Sequence, residues 1–441
     1  MEPNAPQGTS PATPVQPHGN PLNIWVVCQY YRPEPGAPST RLSGLAKSWQ
    51  EMGANPIIFT GIPNHPDGVI QAAYVGKPSN LTEVIDGIPV RRHWLYVAPN
   101  KGKFPRLFNM LSFAASVLRA NWGDPRKKGL SRPDVIMASS PSFFCVFSAW
   151  LLARRHGAKF IFEVRDLWPA IFVQMGILRP GMIYNILEKM EMFLYRRADA
   201  IVTVTRSFVR QITERGIKPD KFATIFNGVS EHDYAVAIQP RQNGGTSQLR
   251  AQLGISPLTK VVLYIGNHGE AQALSQIIDA ARLLVKRTDV AFLFVGQGAD
   301  KEKLQSYARG VPNVQFLPPV GPTDVWAYYC MADINIVCLK NIPDFEMFIP
   351  SKMFEIMAAQ SCAVAGLRGE GAEIMAESGC AMVVGSEEPE RMAEAITTLL
   401  DDPERRESMA RMGREYVART FLHSQLAANY LNLMYKLTGR A

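Results

Sequence analysis

Short apolar runs alternate with longer amphipathic stretches along most of this chain. Residues 23–28 (NIWVVC) form an apolar run of strand length, followed by a polar loop over 30–40 with one glycine, Gly36. Leu42, Leu45, Ala46, Trp49 and Met52 then recur at the spacing of one helix face. Ser39 or Thr40 is placed to cap that helix, and Gly53 to end it. Residues 55–60 (NPIIFT) read as the next strand. Strand, loop, helix and strand in that order open a doubly wound parallel sheet. In such a sheet a ligand approaches the carboxyl ends of the strands, here near Gly36 and Arg41.

The rhythm continues. Residues 62–99 read as loop and short strands at 88–92 and 94–97. Strands follow at 134–138, 159–164, 200–205 and 222–226, with helical patterns at 143–155, 183–197 and 206–216. Ile183, Ile186, Leu187, Met190, Phe193 and Leu194 mark the apolar face of the second of these. Residues 230–249, rich in Gln, Asn, Gly, Thr and Ser, read as a surface loop. From Lys260 the pattern restarts, with strands near 261–265, 290–295, 313–317, 333–338, 363–365 and 381–384 and helices between them. The expected class is α/β, two doubly wound Rossmann-like domains (22–229 and 230–420) facing each other across a cleft. Residues 1–21, dominated by Pro, Gly, Ser, Thr and Gln, cannot bury a core and are expected to be a disordered tail. A last helix within 421–441 is expected to pack back on the first domain.

One segment breaks the pattern. Over 101–122, Phe104, Leu107, Phe108, Leu111, Ala115, Leu118 and Trp122 fall on one helical face, and Asn109, Ser112, Ser116 and Arg119 on the other. Lys101, Lys103 and Arg106 precede it; Arg126, Lys127 and Lys128 follow. Large apolar side chains with basic flanks suit a helix lying in an anionic membrane surface, about 104–122. A core-facing helix is the alternative, but core packing does not need those flanks.

Chemistry concentrates at 350–360 (PSKMFEIMAAQ). Pro350 and Ser351 suit a helix start, and Met353, Ile356 and Met357 give it an apolar face. Lys352 and Glu355 sit one turn apart near that start. A cation, a carboxylate and unpaired N–H groups in one place suit a phosphorylated sugar: Lys for phosphate, Glu for a ribose hydroxyl. A capped helix with a surface ion pair would have the same sequence. Charged groups also stand at strand tips in the first half: Arg165 and Asp166 after the 159–164 strand, and Arg206 after the 200–205 strand.

Composition narrows the partners. With 441 residues, 47% of them hydrophobic and 20% charged, the chain is an ordinary globular protein long enough for two cores. A net charge of +8 favours anionic partners. The six cysteines form no C-x-x-C or Cys/His ligand spacing, so buried thiols in the cytoplasm are expected rather than disulfides or zinc. The sequence has no G-x-G-x-x-G after the first strand, no P-loop and no D-x-D. Those gaps argue against a dinucleotide fingerprint, an NTPase and a metal-clamped diphosphate. No basic patch with interleaved aromatics for nucleic acid occurs outside 101–128. No leader peptide and no membrane-spanning helix are expected.

Gly266-Asn-His-Gly269, Gly296-Gln-Gly298 and Pro350-Ser-Lys-x-x-Glu355, with Asp166-Leu-Trp-Pro169, Tyr195-Arg-Arg-Ala-Asp-Ala200 and Asn227-Gly-Val229, together resemble a retaining glycosyltransferase of the GT-B fold, family 4. Within it they are similar to bacterial fucosaminyltransferases of O-antigen and capsule assembly (the WbuB type). The resemblance spans about 22–435. It implies transfer of a sugar, with retention, from a UDP-linked donor, with no metal requirement. The acceptor would be a lipid-diphosphate-linked glycan, met on the cytoplasmic face of the inner membrane. Glu355 matches the second Glu of the family's E-x7-E motif, which holds the nucleotide ribose. The first would fall on Met347, beside Glu346. Ser351 and Lys352 would bind donor phosphate or sugar, and Gly266 and Asn267 would let the backbone approach the diphosphate. Where the family often has His, Arg165 or Asp166 would act. The family's usual Arg and Lys after the 261–265 strand are missing, so Lys340, Lys352 or Arg206 would supply positive charge for the leaving UDP. Two other readings stay open: a UDP-sugar epimerase on the same scaffold, and a non-catalytic partner in polysaccharide assembly.

Overall fold

The computed structural model describes residues 20–440 apart from 66, 67, 79, 98–102, 141, 171, 172 and 174–178. The expected tail lies outside them but for its last two residues, as do Lys101 and the side chains of Lys103, Phe104 and Arg106. Two units result, one built from the chain up to Asn227 plus His423 onward, the other from Gly228–Leu422.

The first unit is an eight-stranded sheet. Its strands are β1 (Asn23–Val27), β2 (Asn55–Gly61), β3 (Asn80–Ile85), β4 (Ile88–His93), β5 (Val135–Ser139), β6 (Lys159–Val164), β7 (Ala200–Thr203) and β8 (Phe222–Thr224), in the order β3-β4-β2-β1-β5-β6-β7-β8. All neighbours pair in parallel except β3 with β4, a hairpin turned at Asp86-Gly87. Residues 94–97 form no strand, contrary to expectation. Helices on both faces explain why the central strands are apolar throughout. Helix α1 (Ala37–Glu51) covers one face with the C-terminal helix His423–Thr438. Gly36, not Ser39 or Thr40, stands at the cap position of α1, and no side chain caps it. Trp49 of α1 is fully buried and donates its indole N–H to the Ala427 carbonyl at 3.1 Å.

On the opposite face, helices α2 (Lys103–Asn121), α3 (Phe143–His156) and α4 (Met182–Arg197) run side by side, followed by α5 (Arg206–Glu214). Helix α2 presents its polar line inward at its first turns. Asn109 donates to the Tyr96 carbonyl (2.7 Å), and Ser112 accepts from the Tyr96 N–H (2.7 Å). Further along, Phe113, Ala114, Val117 and Asn121 are buried. Leu107, Phe108, Leu111 and Trp122, all on the apolar face read from the sequence, are exposed. Helix α4 exposes part of the face read from its sequence: Ile183 and Ile186 face solvent at 61% and 51% exposure, while Leu194, with Met192 and Tyr195, is buried.

The second unit is a six-stranded, all-parallel sheet, β11-β10-β9-β12-β13-β14, of β9 (Lys260–Ile265), β10 (Val290–Val295), β11 (Val314–Leu317), β12 (Ile334–Cys338), β13 (Ala363–Gly366) and β14 (Ala381–Val384). Residues 230–249 are not a loop. They carry α6 (Glu231–Val236), α7 (Gln239–Gln242) and the start of α8 (Gly245–Gln252), because Ser230 caps α6 through the Asp233 N–H and Pro240 and Arg250 suit helix positions. The crossovers are α9 (Ser275–Leu283), α10 (Lys301–Tyr307), α11 (Val325–Met331), α12 (Lys352–Ala358) and α13 (Gly369–Glu377), and α14 (Pro389–Asp401) and α15 (Pro403–Thr420) follow the last strand. Tyr264, Ile277, Phe292, Phe294, Ile336 and Met392 are in its core.

Candidate functional site

In the second unit the loops at the carboxyl ends of β9, β10 and β12 meet the start of α12. Gly266, directly after β9, has φ +139, a backbone conformation open to glycine alone. A Cβ there would sit 2.8 Å from the Lys352 Nζ. The neighbouring loop is equally tight: a Cβ on Gly298 would meet the His268 backbone at 2.3 Å. The two glycine loops therefore interlock, with the His268 N–H donating to the Gln297 carbonyl (2.9 Å) and the Asp300 N–H to the His268 carbonyl (2.9 Å). The imidazole of His268 is buried. Burial, with Lys301 and Lys352 close by, lowers its pKa to about 4, so it is neutral at pH 7.

Lys352, the first residue of α12, reaches back under this loop. Its Nζ donates to the Ile265 carbonyl (2.8 Å) and lies 3.8 Å from the Tyr264 ring centroid, a cation–π contact. Burial pulls its pKa down to about 8, with Cys338 and Glu355 opposing. One turn on, Glu355 Oε2 accepts a hydrogen bond from the Tyr329 hydroxyl at 2.7 Å. Burial raises the Glu355 carboxyl above its ordinary value; the Tyr329 bond and Lys352 act against that rise. Tyr329 is buried in α11 and was not legible as a site residue, since it reads as one more apolar position of that helix.

The other candidates of this unit sit around that cluster. Lys340 is paired with Glu270 at 2.7 Å on the exposed rim, and its N–H donates to the Ala271 carbonyl. Asn267 is exposed, and its carbonyl accepts from the Tyr264 hydroxyl (2.8 Å). Ser351 occupies the cap position of α12 but makes no side-chain cap bond. Lys301 is committed to the Gly296 and Leu317 carbonyls (2.6 and 2.9 Å). Glu346 lies exposed on the turn Pro343–Met347, and its carbonyl abuts Gly369.

In the first unit, Arg165 and Asp166 stand at the carboxyl tip of β6, with the Arg165 N–H donating to the Ser140 hydroxyl (2.8 Å). Burial raises the Asp166 carboxyl and Arg165 opposes it; burial lowers the Arg165 guanidinium. Gly36 is exposed at the start of α1 with φ +122. Arg206 opens α5 and lies 5.5 Å from the Phe226 ring centroid. Arg41, read as lying near a substrate, is instead a buried structural cation: it pairs with Glu163 at 3.0 Å and donates to the Ile225 carbonyl at 2.8 Å.

Both halves of the chain match known protein families. The glycosyl transferase 4-like domain matches residues 36–228, and glycosyl transferases group 1 matches 246–416. The chain belongs to the GT-B glycosyltransferases. It is 26% identical over 418 residues to a protein of Escherichia coli K12 named as the colanic acid biosynthesis glycosyl transferase WcaI, covering 89% of this chain and 97% of that one. It is 26% identical over 246 residues to WbjE of Pseudomonas aeruginosa, named as a glycosyltransferase, covering 55% of this chain and 59% of that one. Among solved structures, Anabaena HepE in complex with UDP superposes with a TM-score of 0.67 at 15% identity, over 94% of this glycosyltransferase and all of HepE. WaaG, a glycosyltransferase of lipopolysaccharide biosynthesis, superposes with a TM-score of 0.62 at 14% identity, over 94% and 100%.

Proposed function

We propose that this glycosyltransferase moves a sugar, with retention, from a UDP-sugar to a lipid-diphosphate-linked glycan in the synthesis of a bacterial surface polysaccharide. The observation that carries the donor side is Lys352 Nζ held at the missing Cβ of Gly266, one turn from Glu355. A diphosphate laid on that loop meets an ammonium where a side chain would otherwise block it. Glu355 takes the ribose hydroxyls, oriented by Tyr329. The names of WcaI and of HepE with UDP support a polysaccharide and a uridine nucleotide.

The acceptor hydroxyl attacks the anomeric carbon on the face that the diphosphate leaves. The C–O bond to the β-phosphate breaks, the new glycosidic bond forms, and a donor phosphate oxygen takes the hydroxyl proton. Lys352 stabilises the charge that develops on the departing UDP, which needs no strong acid. Arg165 and Asp166 act on the acceptor side. Among the described residues no helix is long and apolar enough to cross a membrane. The lipid-linked acceptor is reached from the cytoplasmic surface, with the exposed apolar line of α2 resting on an anionic bilayer.

Calorimetric titration with UDP, GDP and dTDP tests the donor assignment. UDP is expected to bind selectively, and Glu355→Ala to weaken that binding at least about tenfold; equal binding of all three sinks the assignment. The pH dependence has a defined sign. Phosphate binding favours the protonated Lys352, whose pKa in the free protein is about 8. UDP affinity is therefore flat below that value and falls above it, by up to about tenfold per pH unit. An affinity unchanged between neutral and alkaline pH contradicts the role of Lys352.

Tyr329→Phe removes one hydrogen bond and no volume from the ribose carboxylate. The expected effect is a donor KM raised about ten- to hundredfold, the equivalent of a lost bond to a charged group, with kcat little changed. Donor-saturation kinetics check it, and an unchanged KM would mean that Glu355 needs no orienting partner.

A further inference from the structure

We propose that the bilayer contact of this glycosyltransferase extends beyond α2 to a three-helix platform in which the first turns of α4 form a second, independent insertion point; this rests on the peripheral membrane reading above. The three helices lie on one face of the first sheet. Ser148 of α3 donates to the Ala114 carbonyl of α2 (2.8 Å), and the His156 ring contacts the Asn121 carbonyl (2.9 Å), so α2 and α3 run parallel. Phe193 of α4 packs on Phe147 and Trp150 of α3, with ring centroids 6.0 and 5.0 Å apart. Each helix begins at the end of the sheet where the strands terminate, because each connects parallel strands.

That placement puts two exposed apolar groups at the same edge. On α2 they are Leu107, Phe108 and Leu111, at 40%, 58% and 40% exposure; on α4 they are Met182, Ile183 and Ile186, at 77%, 61% and 51%. Arg165 and Asp166 stand at that strand edge too. Helices that need apolar surface only for the core do not expose it on both flanks of one edge.

Charge selects the occupant. Together α2, α3 and α4 contain eight Lys and Arg but only two acidic residues, Glu188 and Glu191. Both pair with Arg215, at 3.3 and 2.7 Å. The basic residues at the apolar edge itself are Lys103 and Arg106, which open α2, and Arg179, exposed just before α4. An apolar edge on helices of net positive charge fits an anionic lipid surface, with the apolar tips below the headgroups. It fits a second copy of this chain poorly, since two such faces would repel. With both tips inserted, the acceptor-side strand edge lies at the lipid surface, where a lipid-carried diphosphate sugar presents itself.

The test is co-sedimentation of the full chain with vesicles of phosphatidylcholine containing about one-third phosphatidylglycerol. Ile183→Ser/Ile186→Ser is compared with Phe108→Ser/Leu111→Ser, with unfolding temperature and elution volume as controls. The expected result is that the α4 variant binds at least about tenfold more weakly than the unaltered protein while both controls stay unchanged. If the α4 variant binds normally and only the α2 variant detaches, the platform is wrong and the α2 contact stands. If neither variant loses binding, or the unaltered protein does not bind, both fail. A dimer that the α4 substitutions convert to monomer, with vesicle binding intact, also overturns the proposal and assigns the face to a second copy.

Discussion

Lys352→Ala is expected to lower sugar transfer by about 10²- to 10³-fold, the usual consequence of removing one preorganised group that stabilises developing negative charge. Three observations make this the largest catalytic effect at the site. The ammonium is enclosed against the Tyr264 ring and the Ile265 carbonyl, so its position is fixed before substrate arrives. Burial has already lowered its pKa to about 8, so the diphosphate regains an interaction that the free protein lacks in full. The other nearby cations are engaged elsewhere, Lys301 with two carbonyls and Lys340 with Glu270. Lys352→Arg should rescue little, because the guanidinium is larger than the slot beneath Gly266. Transfer of radiolabelled sugar to extracted lipid acceptor gives the rate, and calorimetry gives the UDP affinity. Turnover and affinity both within about threefold of the unaltered protein would remove Lys352 from the mechanism.

How much of this was legible in the sequence depends on the range of each interaction. Lys352 and Glu355 are three residues apart on one helix, so their proximity follows from helical geometry. Gly266 and the 296–298 loop could be read as strand-tip glycines, though not as interlocked. Tyr329 lies 26 residues before Glu355, and nothing local separates its hydroxyl from those of other buried tyrosines. The outward face of α2 was readable from its basic flanks, but the second apolar line that it buries was not. That helix carries two apolar lines, one through Phe113 and Val117 and one through Leu107 and Leu111, and only the sheet beneath decides which is buried. For α4 the residues read as one apolar face divide along the helix: Ile183 and Ile186 are exposed, while Leu187, Met190 and Phe193 are half-buried and Leu194 is buried.

Arg41 illustrates the failure most fully, and it carries the largest expected effect on stability. A cation just past a strand-tip loop looked like a ligand group; its partner, Glu163, lies 122 residues away inside an otherwise apolar strand. The pair is buried, at 3% and 0% side-chain exposure. Arg41 donates to the Ile225 and Phe226 carbonyls, and the Tyr430 hydroxyl of the C-terminal helix donates to Glu163. Four segments of the first unit are thus joined at one charge pair. Burial alone would raise the Glu163 carboxyl; Arg41 and Arg165 outweigh it and hold the group below 4.5. Its contribution is therefore present at neutral pH and lost as the solution is acidified through that lowered value.

Glu163→Ala leaves the Arg41 guanidinium buried without its counter-charge and is expected to destabilise the first unit by about 3–5 kcal/mol. The double substitution Arg41→Met/Glu163→Leu removes both charges and keeps apolar volume, so it should recover most of that loss. Six of the seven tryptophans lie in the first unit, so urea denaturation followed by tryptophan fluorescence reports its transition. A single variant as stable as the unaltered chain would show that water reaches the pair, and that the C-terminal helix is held by apolar contacts such as Trp49 against Tyr430 rather than by charge.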